Sequence, residues 1–449
     1  MLYTLSKKGV IMKKIIFIGV LVVTMIFSAA CTSNILDTKS LLKAPKISNK
    51  YIEIQNTLDD LFNDYSLVTP KNAVNKESVY LLNLYGDEKE EAIIFLRDNL
   101  SYKIKIVLLE RGASENWKEK NIFSGIGDNI NRVDFRDLDG DGKNEMIIGW
   151  EGSTLIDRGI SVYTIKKDKL VEVFNKNYTA YTIEDLDVNG NDELVIINLD
   201  KSKGRANAVL YDLDTDTKSM YYVDQVNMDG YVNGYYNVTS GYVSLTQKGV
   251  LIDVNVGAHS SYTDLIVYQS GRLRNLFYNE IWEYTDLTFR PYSIKSTDID
   301  GDGIIEIPLL RIPKGYEETP SIEIPYITSW MEWNGLNALK FDKESYMSLN
   351  NNFIIFFPKD WRYNVTLKTE KDHYFIDYYS FIDKKRYSIF EILVLDKKEY
   401  YDNRSVYKDY KLIDTVINRM YFVKISDNIP ENVKSVDFDY ILNNFRHLN

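Results

Sequence analysis

Cysteine occurs once in these 449 residues, at Cys31, and histidine three times. A single thiol makes no internal disulfide, so the folded state must rest on burial and on bound ions. Two histidines, His373 and His447, have no further ligand at zinc-binding spacing. The third, His259, comes six residues after Asp253 in the stretch Gly257-Ala-His-Ser-Ser261. A hydrolytic site needs a base within hydrogen-bond reach of a nucleophile and an orienting acid, and closeness in sequence supplies neither. Glycine (23) and proline (9) are not in excess, and no low-complexity tract, nucleophile elbow, zincin helix or glycine-rich phosphate loop occurs. Basic charge is short as well: 54 Lys and Arg face 65 Asp and Glu, a net charge of −11. Residues 1–30 hold four lysines and no acid, so the remainder stands at −15. Such a surface disfavours nucleic acid and anionic lipid headgroups as partners.

The apolar run 15–27, interrupted by Gly19 and Thr24, stands behind Lys13 and Lys14 and leads into Ser28-Ala29-Ala30-Cys31. It is shorter than the stretch of about 20 residues that a membrane-crossing helix needs. The pattern is that of an export signal with a lipobox over residues 1–30, with Met12 an alternative start to Met1. Lipidation at Cys31 is therefore expected, holding the protein by acyl chains at the outer face of the cytoplasmic membrane of a Gram-positive envelope. Residues 31–50 are polar and unpatterned, as in a tether. Tyr51, Ile54, Leu58, Leu61 and Phe62 then recur at helical spacing before Thr69-Pro70, which predicts a helical lead-in over 51–69.

Acidic loops organise the middle of the chain. The first reads Asp137-Leu-Asp-Gly-Asp-Gly-Lys-Asn-Glu145 and precedes the β-prone run 146–150. Ca²⁺ takes about six to eight oxygen ligands, and Asp137, Asp139 and Asp141 offer carboxylates at alternate positions, with the Lys143 carbonyl and Glu145 completing the set. Gly140 and Gly142 let the backbone turn around an ion. In an EF-hand the closing glutamate comes twelfth and a helix succeeds it; here it comes ninth before a strand, so the loop reads as a metal-binding β-hairpin. A second copy offers Asp185, Asp187, Asn189, Asn191 and Glu193, and a third offers Asp298, Asp300, Asp302, Ile304 and Glu306. A worn copy at 83–91 begins with Asn83, has Tyr85 in place of the second acid and is expected to bind nothing. The starts lie 54, 48 and 113 residues apart, and the last gap is close to two periods, so one repeat has lost its loop. The ion expected is structural Ca²⁺ rather than Mg²⁺, which demands a tighter octahedral shell.

A period near 50 residues with several strands per unit is the mark of a propeller. The four loops resemble those of the FG-GAP/VCBS repeats of the integrin-α-type β-propeller. That resemblance implies a mainly β fold, with a β-propeller of about five or six blades over residues 70–340 and a calcium loop within or between blades. Asp212-Leu-Asp-Thr-Asp216 imitates the loop without its glycine or closing acid and reads as a hairpin turn. Beyond residue 350 no acidic loop occurs; strand-like runs, then Phe438, Ile441, Leu442, Phe445 and Leu448 at helical spacing, predict a small α+β sandwich domain over 350–449. Its Phe353-Ile-Ile-Phe-Phe-Pro-Lys-Asp-Trp361 is similar to a strand end in PsbP/Mog1-type domains. The 35 tyrosines are explained by strand propensity, with sugar stacking as the alternative.

Two functional classes remain. One is a non-catalytic, lipid-anchored binding or scaffold module for a protein or polymer partner; the other is an extracytoplasmic enzyme acting on cell wall or polysaccharide. Because the recognisable carboxylate clusters are committed to metal loops, the sequence predicts the first and no enzyme. A deep pocket holding two unpaired carboxylates from different blades points the other way.

Overall fold

The computed structural model describes residues 49–72, 76–87, 89–112, 116–152, 157–431 and 433–448. The expected export signal over residues 1–30 and the expected lipidation at Cys31 lie outside the described residues. The chain divides into two compact units, Met1–Asn63 with Gly112–Lys118, and Asp64–Arg111 with Glu119–Asn449. In the first, the helix Asn49–Leu61 turns Ile54 and Leu58, both 2% exposed, onto one stripe. The Phe62 N–H extends it by one bond to the Leu58 carbonyl at 2.9 Å. No helix among the described residues is long and apolar enough to cross a membrane.

The second unit is mainly β, and its strands form antiparallel sheets that succeed one another along the chain. The first sheet sets Tyr65–Leu67 and Val79–Leu82 against Glu91–Asp98, then Ile104–Arg111 and, within this unit, residues 119–124 of the strand Trp117–Ser124. The second runs Asn129–Arg136, Glu145–Glu151, Arg158–Lys166, Lys169–Asn177; the third runs Ala180–Glu184, Glu193–Asp200, Arg205–Asp214, Ser219–Asp229. The fourth runs Gly234–Tyr242, Lys248–Val256, Ser260–Gln269, Arg272–Asn275. In the fifth, Ile307–Arg311, Ile327–Trp333 and Leu339–Ser348 lead to Phe353–Phe357 and, on its outer side, Phe445–His447. The sixth is ordered Val365–Glu370, His373–Ser380, Lys385–Asp396, Arg419–Ile425, Lys411–Val416.

Burial explains which residues fill which strand. The second strands carry unbroken apolar runs, such as Ala92-Ile-Ile-Phe-Leu96 and Leu194-Val-Ile-Ile197, and these are buried on both faces. A strand alternates only when one face meets water, and these meet none. The last strand of a sheet does meet water: in Lys169–Asn177 only Leu170 and Phe174 are buried. Consecutive sheets share cores. Phe95 and Ile106 of the first pack with Ile148 and Trp150 of the second, Ile147 and Val162 with Tyr181 and Leu194, and Val195 and Ala208 with Ile252 and Ile266. Leu251 and Leu265 then pack with Ile307 and Trp333, and Ile327 and Phe353 with Ile376 and Tyr421. Antiparallel sheets, several of four strands, stacked face to face in chain order make a propeller-like fold, as the loop spacing predicts.

The wide gap between the second and third complete loops is accounted for by the fourth sheet. Its first two strands are joined by residues 243–247, a turn closed by Val243 N–H donating to the Gln247 carbonyl at 2.9 Å, with no acidic residue in it. The end of the chain differs from its periodicity. The helix spans only Phe438–Asn444, capped by Asp437 accepting from the Tyr440 N–H at 2.8 Å. Phe445 instead enters a strand and stacks on Phe353 at 5.4 Å, because the open edge of Phe353–Phe357 offers its backbone partners that another helical turn lacks.

Candidate metal centres

All four acidic loops occupy one place in the fold. The copies at 137–145 and 185–193 join the first and second strands of the second and third sheets, and the copy at 83–91 joins Val79–Leu82 to Glu91–Asp98 in the first. The copy at 298–306 leads into Ile307–Arg311 of the fifth sheet and is closed at its base by the bridge between Thr297 and Glu306. Their hydrogen bonds repeat. In each, one oxygen of the closing glutamate accepts the N–H of the loop's second residue: Glu91 from Leu84 (2.7 Å), Glu145 from Leu138 (2.9 Å), Glu193 from Leu186 (2.8 Å) and Glu306 from Ile299 (2.9 Å). The first residue gathers the turn: Asp137 accepts from Gly140 and Gly142, Asp298 from Gly301 and Gly303, and Asp185 from Asn189 and Gly190. The fifth residues, Asp141, Asn189 and Asp302, accept the N–H groups of Lys143, Asn191 and Ile304 at 2.9, 2.7 and 2.8 Å.

Carboxylate oxygens converge within these frames. Those of Asp298, Asp300, Asp302 and Glu306 lie within 4.8 Å of one another, as do those of Asp137, Asp139 and Glu145, and of Asp185, Asp187 and Glu193. Asp141 stands outside its group, and Lys218, reaching over from the third sheet, pairs with both Asp141 (2.6 Å) and Asp139. Lys343 meets Asp300, and Lys248 lies 2.8 Å from Glu184 and 3.7 Å from Asp185. An ammonium group therefore stands beside each complete loop. The seventh residues turn their side chains to neighbours: Lys143 lies against Gly86 of the worn loop, and Asn191 against Gly140 of the first complete one. Gly140 has φ +72°, and a Cβ there would stand 2.3 Å from Asn191 Oδ1, so the contact between successive loops requires glycine.

The donor sets suit a hard cation, being all oxygen and partly buried. Glu193 Oε1 and Glu306 Oε1 are buried and have no hydrogen-bond partner, whereas Glu145 Oε1 accepts from Thr164 at 2.7 Å. Burial pushes Glu145 up to about 7, and Glu193 and Glu306 to about 8, against the hydrogen bonds that each accepts. A carboxyl whose folded value lies above its ordinary 4.5 binds more protons folded than unfolded, so its contribution falls as pH rises from about 4.5 to about 8. In chelator, the melting temperature should fall over that window by several degrees, on the order of 1 kcal/mol per group after allowing for solvent at the loop. Excess calcium should remove this decline, since the ion takes the proton's place. Melts at several pH values that show the same slope with and without calcium would refute the coupling.

Away from the loops, a polar pocket of about 650 Å³ opens beside the third and fourth sheets, lined by Asn198, Asp200, Arg205, Tyr231, Glu280 and Glu283 among others. Asp200 is held near about 2 by Lys203 and Ser202, while Glu280 and Glu283 come from the segment after the fourth sheet. Nothing in the spacing of these residues marks them in the sequence. Asp253 is fully buried and bound to Arg290 at 2.9 Å, so it has a structural partner and does not orient His259. His373 and His447 each meet one carboxylate, Glu391 and Asp414.

Comparison with known families and with curated proteins finds no match. Solved structures that align with the chain include the Bacillus licheniformis rhamnogalacturonan lyase PL11, with a TM-score of 0.34 and 13% identity over 80% of this chain and 72% of that one. The exotype rhamnogalacturonan lyase YesX aligns with a TM-score of 0.30 and 11% identity over 72% and 84% of the two chains. The β-propeller domain of the Trilobed protease from Pyrococcus furiosus aligns with 0.30 and 10% over 71% and 89%. The expectation that this chain is not an enzyme is corrected: rhamnogalacturonan lyases stand among the structures that align with it. At these identities and TM-scores the alignments assign no activity.

Proposed function

We propose that this is a lipid-anchored extracytoplasmic protein whose propeller-like sheets carry structural calcium and present a surface to a protein or polymer partner at the Gram-positive cell envelope. The observation that carries the reading is the repeated loop, in which carboxylate oxygens of three or four acids converge within 4.8 Å of one another. Asp137, Asp139 and Glu145, then Asp185, Asp187 and Glu193, then Asp298, Asp300, Asp302 and Glu306 would hold the ions. A bound ion neutralises acids that otherwise repel across a tight turn. The closing glutamate ties the loop to the adjoining strand, so ion binding there reports directly on the sheet. FG-GAP/VCBS repeats are the family reading of these loops, and the Phe-Pro-Lys-Asp-Trp361 stretch is the ground for a PsbP/Mog1-like C-terminal part.

The anchor rests on Ser28-Ala-Ala-Cys31 after the apolar run. With −15 on the remainder, attraction to anionic headgroups does not hold the protein at the membrane, which leaves the task to the lipid. Nucleic acid is no partner for such a surface. In cells, Cys31→Ser should leave an unprocessed precursor or release the protein from the membrane fraction. Detergent-phase partitioning unchanged by that substitution would sink the anchor.

A further inference from the structure

The closing glutamate has a second oxygen, and what that oxygen faces differs from sheet to sheet. Met146 pairs with Tyr163, which sets Glu145 opposite Thr164, the residue that donates to its Oε1. The same register, Leu194 with Tyr211 and Ile307 with Met331, sets Glu193 opposite Asp212 and Glu306 opposite Glu332. A second equivalent place is set by a bulge. Register shifts between Val162 and Tyr163, Leu210 and Tyr211, and Trp330 and Met331 leave one extra residue on the facing strand: Val173, Val223 and Asp342. A bulge turns its extra side chain to a new direction. The paired places therefore hold Thr and Val in the second sheet, Asp and Val in the third, and Glu and Asp in the fifth.

Of these three sheets only the fifth has acids at both. Glu306, Glu332 and Asp342 are 0, 7 and 5% exposed, and oxygens from all three lie within 4.8 Å of one another. Lys340 pairs with Glu332 Oε2 at 2.9 Å and Lys359 with Asp342 Oδ1 at 2.8 Å, but both side chains are more than half exposed and leave for water at little cost. Lys343 stands between Asp342 (3.2 Å) and Asp300 of the loop. Glu306 Oε1, fully buried, has no partner. A desolvated carboxylate oxygen beside two further acids calls for a cation.

We infer that the fifth sheet holds a second divalent cation of the calcium class, bound by Glu306 Oε1, Glu332 and Asp342, with Glu306 bridging it to the ion of the 298–306 loop. The all-oxygen, carboxylate-rich set selects a hard ion. The inference rests on the calcium reading of the loops only through the shared Glu306.

The test counts ions on the full folded chain, by native mass spectrometry with calcium chloride as the probe and by elemental analysis after gel filtration. Wild type should bind four calcium ions, one in each complete loop and one in the second site. Glu332→Thr with Asp342→Val installs the residues that the second sheet uses at those places, and it should bind three. Asp187→Ala, in another sheet, should lose one loop ion independently, and the triple variant should bind two. If the double variant does not fold, the isosteric Glu332→Gln should show the same loss of one. A Glu332→Thr/Asp342→Val or Glu332→Gln variant that binds as many ions as wild type overturns the second site, and a wild type that binds three and loses one only with Asp187→Ala does so while leaving the loops standing. A wild type that binds none overturns both.

Discussion

Chelation of calcium should lower the melting temperature of this protein on the order of ten degrees. Each ion that binds only the folded state contributes about 2.7 kcal/mol at a hundredfold excess over its dissociation constant, so three loops together reach about 8 kcal/mol. The loss should be uneven. In the 137–145 loop Lys218 remains on Asp139 and Asp141 and offsets part of the repulsion, while in the 185–193 loop Lys248 approaches Asp185 only to 3.7 Å. Asp139→Ala and Asp300→Ala should each forfeit about one ion's share of the calcium-dependent stabilisation. Scanning calorimetry with and without chelator, beside isothermal titration with calcium, is the measurement. A wild-type melting temperature that ignores chelator, with no heat of calcium binding, would show that the loops are solvated acidic hairpins.

The second large effect lies at Arg290, whose side chain is fully buried with Asp253. Its guanidinium donates to Asp253 Oδ1 (2.9 Å), the Tyr236 hydroxyl (2.7 Å), the Ile294 carbonyl (2.8 Å) and Thr263 Oγ1 (2.8 Å). Asp253 also accepts from the Ser296 N–H at 2.7 Å, so the pair ties the fourth sheet to the segment that delivers Asp298 to its loop. Arg290→Ala removes the guanidinium and leaves Asp253 as an uncompensated charge, a change that costs about 3–5 kcal/mol. Urea unfolding should show this as a lower midpoint. Because the lost bonds hold residues 294–296, calcium affinity should weaken in the 298–306 loop while the other two loops keep theirs. A midpoint within about 1 kcal/mol of wild type would mean that water or a rearranged neighbour takes the guanidinium's place.

The sequence carried the loops well, because alternate acids, glycines and a ninth-place glutamate are a local pattern whose geometry the adjoining strand preserves. The missing repeat could be counted from the gap of 113 residues, although the turn at 243–247 bears no mark of its ancestry. Bulges at Val173, Val223 and Asp342 could not be read, since an extra residue only shifts a period-two pattern that buried strands do not display. Glu332 and Asp342 are therefore unremarkable in sequence and become a cluster only through register. The same holds for Arg290, which stands in a loop-like stretch where arginine ordinarily meets water. Phe445 had a helical period and took a strand instead, since its backbone partner, Ile355, lay 90 residues earlier.

That strand has a consequence for synthesis. Ile307–Arg311 through Phe353–Phe357 can pair as soon as they emerge, but the outer edge of Phe353–Phe357 stays bare until Phe445–His447 leave the ribosome. A nascent chain thus carries a run of five apolar residues with unmet backbone groups, the kind of edge that recruits strands from other chains. Chains stopped a few residues short should accumulate as aggregates, and a tag fused directly after Asn449 should interfere where one placed upstream of the helix at Asn49–Leu61 does not.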